Sequence, residues 1–154
     1  MRLLLISIGQ KMPGWVADAF QEYAQRLPNN LLQLVELPLG TRSKGGDAHK
    51  AMAEEGARML KAIPPRARVI ALDPRGRALS TEDLAQELGG WMQGGDDVAL
   101  LIGGPDGLAP ECLARADQRW SLSRLTFPHM LVRVILAEQL YRAWTILQNH
   151  PYHR

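Results

Sequence analysis

The stretch Val98-Ala-Leu-Leu-Ile-Gly-Gly-Pro-Asp-Gly107 decides the fold of this 154-residue chain. Its five consecutive apolar residues predict a strand that is buried on both faces, and the glycine-rich segment after them predicts a turn. Buried runs of this kind are typical of parallel sheets that helices cover on both sides. The stretch therefore favours an α/β fold.

Similar apolar runs alternate with helical patterns along the rest of the chain. Predicted strands lie at Arg2–Ile8, Leu31–Leu37, Val69–Leu72, Val98–Ile102 and Arg119–Leu122. Predicted helices follow Pro13, cover Ala51–Ile63, run from a capping box at Ser80–Asp83 to about Gln93, and cover Ala109–Ala116 and 129–149. No repeat or linker divides the sequence. We expect a single domain over residues 1–154, with a mostly parallel five- to six-stranded sheet and helices on both faces.

Charge is distributed unevenly along a chain of otherwise ordinary composition. Residues 82–97 carry five acids and no base, whereas residues 113–154 carry six arginines against two acids. This asymmetry permits an anionic partner such as nucleic acid, although many solvated faces have the same composition. The single cysteine, Cys112, suits a reducing compartment. Because no targeting or membrane-spanning segment is convincing, we expect a cytoplasmic protein.

Three segments follow the ends of predicted strands: Leu72–Gly76, Gly103–Gly107 and Leu122–Phe127. In parallel α/β sheets, ligands bind outside the carboxyl ends of the strands. Glycines there let a ligand reach the main chain, whose N–H and C=O groups can read an adenine edge. Any α/β protein needs such turns, but three together favour a nucleoside-type ligand. The glycines form neither G-x-G-x-x-G nor a Walker motif, which disfavours a dinucleotide or a nucleoside triphosphate.

The C-terminal stretch combines a long apolar helix with a polar tail. Met130–Leu147 is too apolar for one side of a small sheet, which suggests a subunit interface. Glu138 precedes Arg142 by four residues, the favourable orientation for a helical ion pair. The tail, Tyr152-His153-Arg154, could stack on a base and pair with phosphate, or could be disordered. His129, at the start of the helix, could contact a ligand or cap the helix.

Metal and nucleophile motifs are weak in this sequence. His150 and His153 have no cluster of cysteines or carboxylates near them. No serine lies in a G-x-S-x-G elbow, and Cys112 has no catalytic motif around it, so a small buried side chain is the simpler interpretation. We therefore expect no metal and no covalent nucleophile.

Four segments of the chain resemble one known family. They are Leu101–Gly107, Ser121–His129, Glu138–Ala143 and Pro151–Arg154. Together they resemble the bacterial large-subunit ribosomal RNA pseudouridine N3-methyltransferases, the small single-domain branch of the SPOUT methyltransferase superfamily. The resemblance covers the whole chain. It implies an α/β fold with a C-terminal trefoil knot, and the knotted, cofactor-binding part would cover about 70–154. General sequence rules would not predict a knot, because true knots are rare.

The resemblance also implies an activity and its site. The methyl donor would be S-adenosylmethionine. The target would be N3 of a pseudouridine in 23S ribosomal RNA, within the assembled ribosome. The active form would be a homodimer. The residues implied for the cofactor pocket are Leu72, Gly103, Gly104, Leu122, Ser123, Arg124, Leu125, Thr126 and Phe127. Those implied for the target nucleotide are His129, Arg142, Tyr152, His153 and Arg154.

This chemistry needs alignment of two reactants and no enzyme nucleophile. The N3 proton of pseudouridine must leave, so an arginine could stabilise the developing anion and His129 or His153 could accept the proton. With no appended RNA-binding module, we expect the dimer surface to bind RNA through Arg42, Lys44, Lys50 and the tail, with strong salt dependence.

Three other interpretations stay open at this point. The chain could be a SPOUT methyltransferase acting on another RNA nucleotide or on transfer RNA. It could be a non-enzymatic ribosome-binding factor that has kept the fold. A metal-binding role for the tail is the third.

Overall fold

The alternation of side chains along strand β1, Leu3–Ile8, divides the core into two layers. In the computed structural model, which describes residues 1–43 and 45–154, all six residues of β1 are buried. Leu3 and Leu5 pack on one side of the sheet, whereas Leu4 and Ile6 pack on the other. Ser7 therefore faces the same side as Leu3, toward α1, α3 and α5.

The sheet contains five strands in the order β2-β1-β4-β3-β5, and every neighbouring pair is parallel. The other strands are β2 Leu32–Leu37, β3 Arg68–Ala78, β4 Val98–Ile102 and β5 Gln118–Ser121. The helices are α1 Gly14–Ala24, α2 Ala48–Ala62, α3 Thr81–Gly94, α4 Pro110–Arg115 and α5 His129–Leu147, with short 3-10 turns at Pro28–Asn30 and Pro151–His153.

Helices cover both faces of this sheet. One core layer joins the sheet to α1, α3 and α5, and the other joins it to α2 and α4. The predicted mostly parallel α/β fold is confirmed, and the predicted trefoil knot stays a prediction. The predicted capping box is also confirmed, since the Ser80 hydroxyl accepts from the backbone N–H of Asp83 at 3.0 Å and the Asp83 carboxylate accepts from that of Ser80 at 3.1 Å.

The predicted end of the third strand at Leu72 is wrong. Leu72 and Arg77 both pair with Trp120 of β5, so residues 73–76 bulge out of β3 and the strand then resumes. Within the bulge, the Asp73 carboxylate accepts from the backbone N–H of Arg75 at 3.0 Å, and Pro74 has no N–H to offer a neighbouring strand. Residues 73–76 thus contain residues typical of a turn, but pairing with β5 resumes at Arg77, so β3 continues beyond them.

The helix predicted over Ala51–Ile63 begins earlier, at Ala48, because Asp47 caps it by accepting from the backbone N–H of His49 at 2.9 Å. On α1, Trp15 is 64% exposed, whereas Val16 and Phe20 are buried. No helix within residues 1–43 and 45–154 is long and apolar enough to cross a membrane.

Candidate functional site

A cavity of about 400 Å³ lies beside the bulge of β3 and the carboxyl ends of β4 and β5, next to the first turn of α5. Its wall is mainly apolar side chains and exposed main chain. The lining residues are Leu72 and Pro74 of the β3 bulge, Ile102 to Pro105 and Gly107 after β4, Ser121 to Ser123 and Leu125 to Phe127 after β5, and Pro128, His129 and Val132.

The segment after β4 turns back on itself against this cavity. A Cβ atom on Gly103 would lie 2.4 Å from the carbonyl carbon of Gly107, so only glycine fits there. The backbone N–H of Gly107 donates to the Gly104 carbonyl at 3.0 Å, and Gly107 has a φ of +86°. This tight turn leaves main-chain groups at the cavity wall, where a side chain would otherwise cover them.

The segment after β5 is held by its own hydroxyl groups. The Ser121 hydroxyl donates to the Ser123 carbonyl at 3.0 Å, and the Ser123 hydroxyl accepts from the backbone N–H of Leu125 at 2.9 Å. The serines thus fix the course of the chain around the cavity. Leu125 at the rim is 72% exposed.

The structure brings the predicted cofactor residues together around this one cavity, with one exception. Arg124 has its side chain exposed and is not among the residues that line the wall. His129, predicted for the target nucleotide, lines the same cavity. Burial lowers the pKa of the His129 imidazole, and the nearby positive charge of Arg133 lowers it further, against a smaller opposing effect of Glu55. The imidazole is therefore neutral at pH 7.

Two of the other predicted target residues, Arg142 and Tyr152, meet in a second place, the tail cluster, which consists of Glu138, Tyr141, Arg142 and Tyr152. The Arg142 Nε donates to Glu138 at 2.8 Å, and the Tyr152 hydroxyl donates to the same carboxylate at 3.2 Å. The Tyr152 ring stands edge-on to Tyr141, with centroids 4.6 Å apart, and the Arg142 guanidinium lies 5.0 Å from the Tyr152 ring centroid. The predicted helical ion pair of Glu138 and Arg142 is confirmed.

Electrostatics fit this arrangement of the tail cluster. The hydrogen bond from Arg142 to Glu138 raises the pKa of the guanidinium, so the arginine stays charged. Burial, followed by the negative charge of Glu138, raises the pKa of the Tyr152 hydroxyl, so the phenol stays neutral at ordinary pH. Within the described residues, the buried Nδ1 of His153 has no hydrogen-bond partner. A buried polar atom of this kind is uncommon in folded proteins.

The two groups lie toward opposite ends of α5. His129 and Arg142 are 13 residues apart (142 minus 129), or roughly 20 Å along a helix axis. The structure therefore brings His129 to the cofactor residues but leaves Arg142, Tyr152 and His153 at the other end, with Arg154 exposed at the chain terminus. One small nucleotide cannot touch both groups within one copy of the chain.

The residues expected to bind RNA have different surroundings. Arg42 donates to Glu55 at 2.7 Å and to Asp106 at 2.9 Å, so two carboxylates already engage its charge. Lys50 is exposed on α2, and Lys44 lies outside the described residues. Arg42 can meet a phosphate only by giving up these carboxylates.

Sequence reasoning missed Arg133 and Glu55, both buried and both close enough to His129 to act on its charge. The available signal for Arg133 was a lone arginine within an apolar helical run. Burial raises the pKa of the Cys112 thiol to about 11, in keeping with a buried and unreactive cysteine.

Comparison with known proteins identifies the family of the chain. A family model described as "Predicted SPOUT methyltransferase" matches residues 1–153. The chain belongs to the SPOUT methyltransferase family. It is 64% identical to a protein from Alkalilimnicola ehrlichii named ribosomal RNA large subunit methyltransferase H, over all of this chain and 99% of that one. A protein of the same name from Saccharophagus degradans is 59% identical over the full length of both chains.

A solved structure has the same fold at much lower sequence identity. A probable methylase family protein from Haemophilus influenzae gives a TM-score of 0.59 at 14% identity, covering 99% of this chain and 70% of that one. This likeness concerns the fold of the SPOUT methyltransferase alone. Within residues 1–43 and 45–154, no group of three histidine, cysteine, aspartate or glutamate side chains is placed to hold a metal ion.

Proposed function

We propose that this SPOUT methyltransferase transfers a methyl group from S-adenosylmethionine to N3 of a pseudouridine in 23S ribosomal RNA, acting on the assembled ribosome in the cytoplasm. The observation that carries the proposal is the cavity beside the bulge of β3 and the carboxyl ends of β4 and β5, which His129 also lines. The name of the two relatives supports ribosomal RNA of the large subunit as the substrate class.

The residues of the cavity fit a nucleoside-type methyl donor. Its volume of about 400 Å³ falls in the usual range for small-molecule sites, about 300–1,000 Å³. Leu72, Leu122 and Phe127 offer apolar surface, and the turn after Gly103 offers main-chain groups. When bound, S-adenosylmethionine supplies an electrophilic methyl group on a positively charged sulfur. An uncharged wall suits that cation better than a wall of arginines, and Arg124 points its charge away into solvent.

His129 is the group in the cavity best suited to take the N3 proton. Its imidazole is neutral at pH 7, so Nδ1 or Nε2 has a free lone pair. An arginine of the tail would face the oxygens of the uracil ring and stabilise the anion that forms as the proton leaves. His153 is the alternative acceptor. If His129→Ala and His153→Ala both keep near-normal single-turnover rates, neither is the base.

A homodimer would complete the site. Because the tail cluster lies roughly 20 Å from His129 along α5, a second copy is needed to bring a tail to the cavity. Half-buried apolar side chains remain on α5 for that contact, among them Leu131, Val134 and Trp144. Association through such a face is ordinary for homodimers. We assign the target nucleotide to Tyr152, His153 and Arg154 of one copy, with Arg142 supporting Tyr152.

The remaining assignments belong to the same proposal. We propose one domain over residues 1–154, with the knotted part covering about 70–154. Lys50, Lys44 and the tail would bind RNA phosphates, while Arg42 first has to leave Glu55 and Asp106. Ribosome binding should weaken steeply as salt rises, and an affinity indifferent to salt would contradict this part.

The deciding experiment is methylation of purified ribosomes with labelled S-adenosylmethionine, followed by mapping of the labelled nucleotide. Ribosomes from a strain that lacks the gene provide an unmodified substrate, and free 23S RNA is the control for the assembled state. We expect label on one pseudouridine of the intact ribosome. Label on another nucleotide or on transfer RNA would redirect the specificity. If the protein neither methylates ribosomes nor binds the cofactor in calorimetry, a non-enzymatic ribosome-binding factor is favoured.

A further inference from the structure

Arg133 is a buried charge that the mechanism above does not use. Its side chain is fully buried, and Glu36, 30% exposed, pairs with it at 2.7 Å. Its Nε donates to the Ser7 hydroxyl at 3.0 Å, and its Nη2 donates to the Gly9 carbonyl at 2.7 Å. Burial of a guanidinium is unfavourable unless its donors are satisfied, so β1, β2 and α5 have to meet in one fixed geometry around it.

The guanidinium and the His129 imidazole both lie beside Gly9. Gly9 has a φ of +112°, and a Cβ atom built on it would lie 3.5 Å from His129 Nε2 and 3.7 Å from Arg133 Nη2. The same Cβ would come within 2.9 Å of the Met130 side chain, so the position requires glycine for both conformation and space. The Gly9 turn, the imidazole and the guanidinium therefore form one packed unit, and the imidazole also lines the cavity.

We propose that Arg133 is a positioning residue for methyl transfer, which holds the Gly9 turn and His129 against the cavity while Glu36 and Ser7 fix its own guanidinium. The inference rests on the proposed function, since His129 matters to the reaction only if the cavity holds the methyl donor. Arg133 itself lines no part of the cavity, so it would act through His129.

The charge of Arg133 gives this role a second consequence. The charged groups that act on the imidazole are Arg133 from the same helix and Glu55 from α2, and Glu36 of β2 faces the guanidinium. Arg133 disfavours the imidazolium and Glu55 favours it. A methionine at 133 keeps the length of the side chain but removes the charge, whereas a lysine keeps the charge but loses the planar fork that reaches three partners.

Two measurements on the full-length protein test the proposal. The first is an NMR pH titration of the His129 ring protons, without cofactor or ribosome, in wild type, Arg133→Met and Arg133→Lys. We expect the pKa of His129 to rise in Arg133→Met and to stay near the wild-type value in Arg133→Lys. Arg2→Met is the matched control, because Arg2 pairs with Asp97 at 2.7 Å in an exposed position at the amino end of β1. It should leave the titration unchanged.

The second measurement is single-turnover methylation of ribosomes as a function of pH. Both Arg133 variants should lose at least about tenfold in rate, since neither side chain can span Ser7, Gly9 and Glu36 together. The acidic limb of the profile should move to higher pH in Arg133→Met only. A merely structural arginine would lower the rate without moving that limb. Arg2→Met should match wild type in both respects.

The outcomes separate the inference from the proposed function. Wild-type rates in Arg133→Lys, or an unmoved His129 titration in folded Arg133→Met, would overturn the inference. Where Arg133→Met does not fold, Arg133→Gln replaces it in both measurements, because glutamine also removes the charge that acts on His129. Absence of methylation by wild type would overturn the proposed function, while the NMR titration would still decide whether Arg133 acts on His129.

Discussion

The two ends of α5 are built in different ways. At the amino end, three strand-end segments and the first turn of the helix surround a cavity whose shape depends on main-chain turns at Gly103 and Ser123. At the carboxyl end, side chains of α5 and of the 3-10 turn after it meet, as when the Tyr152 hydroxyl donates to Glu138. The cavity can hold a ligand by shape, whereas the tail cluster offers rings and charges that suit a nucleotide. From this difference we propose that the methyl donor binds at one end and its target at the other.

The largest expected effect follows from Gly103→Ala. The added Cβ would lie 2.4 Å from the Gly107 carbonyl carbon, so the turn must shift and the cavity wall with it. We expect calorimetry to show that S-adenosylmethionine binds at least about 100-fold more weakly, because the close-packed wall has no space for the added Cβ atom. Gly90→Ala on α3 is the control, because a Cβ there meets no atom within 4 Å and should leave binding unchanged. Wild-type affinity in Gly103→Ala would mean that the turn at Gly103 is not part of the cofactor site.

Tyr152→Ala tests the other end of the comparison. Loss of a ring that stacks on a base costs about 1–3 kcal/mol. The single-turnover rate on ribosomes should therefore fall by about 10- to 100-fold, with cofactor affinity in calorimetry unchanged. Tyr152→Phe keeps the ring and loses only the hydrogen bond to Glu138, so its rate should fall much less. A loss of cofactor affinity in Tyr152→Ala would contradict the assignment of cofactor and target to different ends of α5.

Acid stability should depend on the cavity end. The folded state holds the pKa of His129 below its ordinary value of 6.5, so the unfolded chain binds the proton more readily. The free energy of unfolding should fall as pH drops from about 6.5 through the lower pKa of the folded state. His129→Gln should flatten this part of the curve in urea unfolding at pH 7.5 and pH 5. Tyr152, whose pKa is raised, does not titrate in that range. Equal pH dependence in both proteins would contradict a buried neutral imidazole.

The smallest effect is expected for Arg26→Gln. The Arg26 guanidinium lies 5.4 Å from the Tyr141 ring centroid and 6.0 Å from that of Tyr152. Loss of these weak contacts should loosen the tail and slow methyl transfer by about two- to fivefold. Cofactor binding should not change, because α1 contributes nothing to the cavity wall. A larger loss of rate than in Tyr152→Ala would mean that Arg26 itself contacts the RNA.

The sequence predicts the cavity end well because its determinants are local. A buried run followed by Gly103 and Gly104 indicates both a strand and the turn that ends it, and parallel strands place such turns at one edge of the sheet. The capping box at Ser80 was predicted for the same reason, since both partners lie within four residues. The resemblance to a known family added the ligand and the target, which no turn pattern specifies.

The rest depends on contacts between residues far apart in sequence. Pro74 and Gly76 indicate a turn correctly, but only pairing of Arg77 with Trp120 shows that β3 continues. Tyr152 was singled out by composition, while its partner Glu138 was interpreted only as a helical ion pair. Arg133 interrupts an apolar helical run, and its burial is explained by partners far away in sequence, Ser7, Gly9 and Glu36.

Mixed dimers test most directly the claim that the two ends of α5 work across two copies of the chain. Gly103→Ala has a defective cavity and Tyr152→Ala a defective tail, so each alone should retain at most about a tenth of the wild-type rate when S-adenosylmethionine is limiting. After unfolding and refolding together, half of the dimers are mixed, and each mixed dimer holds one intact pairing of cavity and tail. We expect recovery of roughly a quarter of wild-type methyl transfer to ribosomes. A mixture no more active than the two separate variants would contradict it, and would mean that cavity and tail serve the same reaction within one copy or not at all.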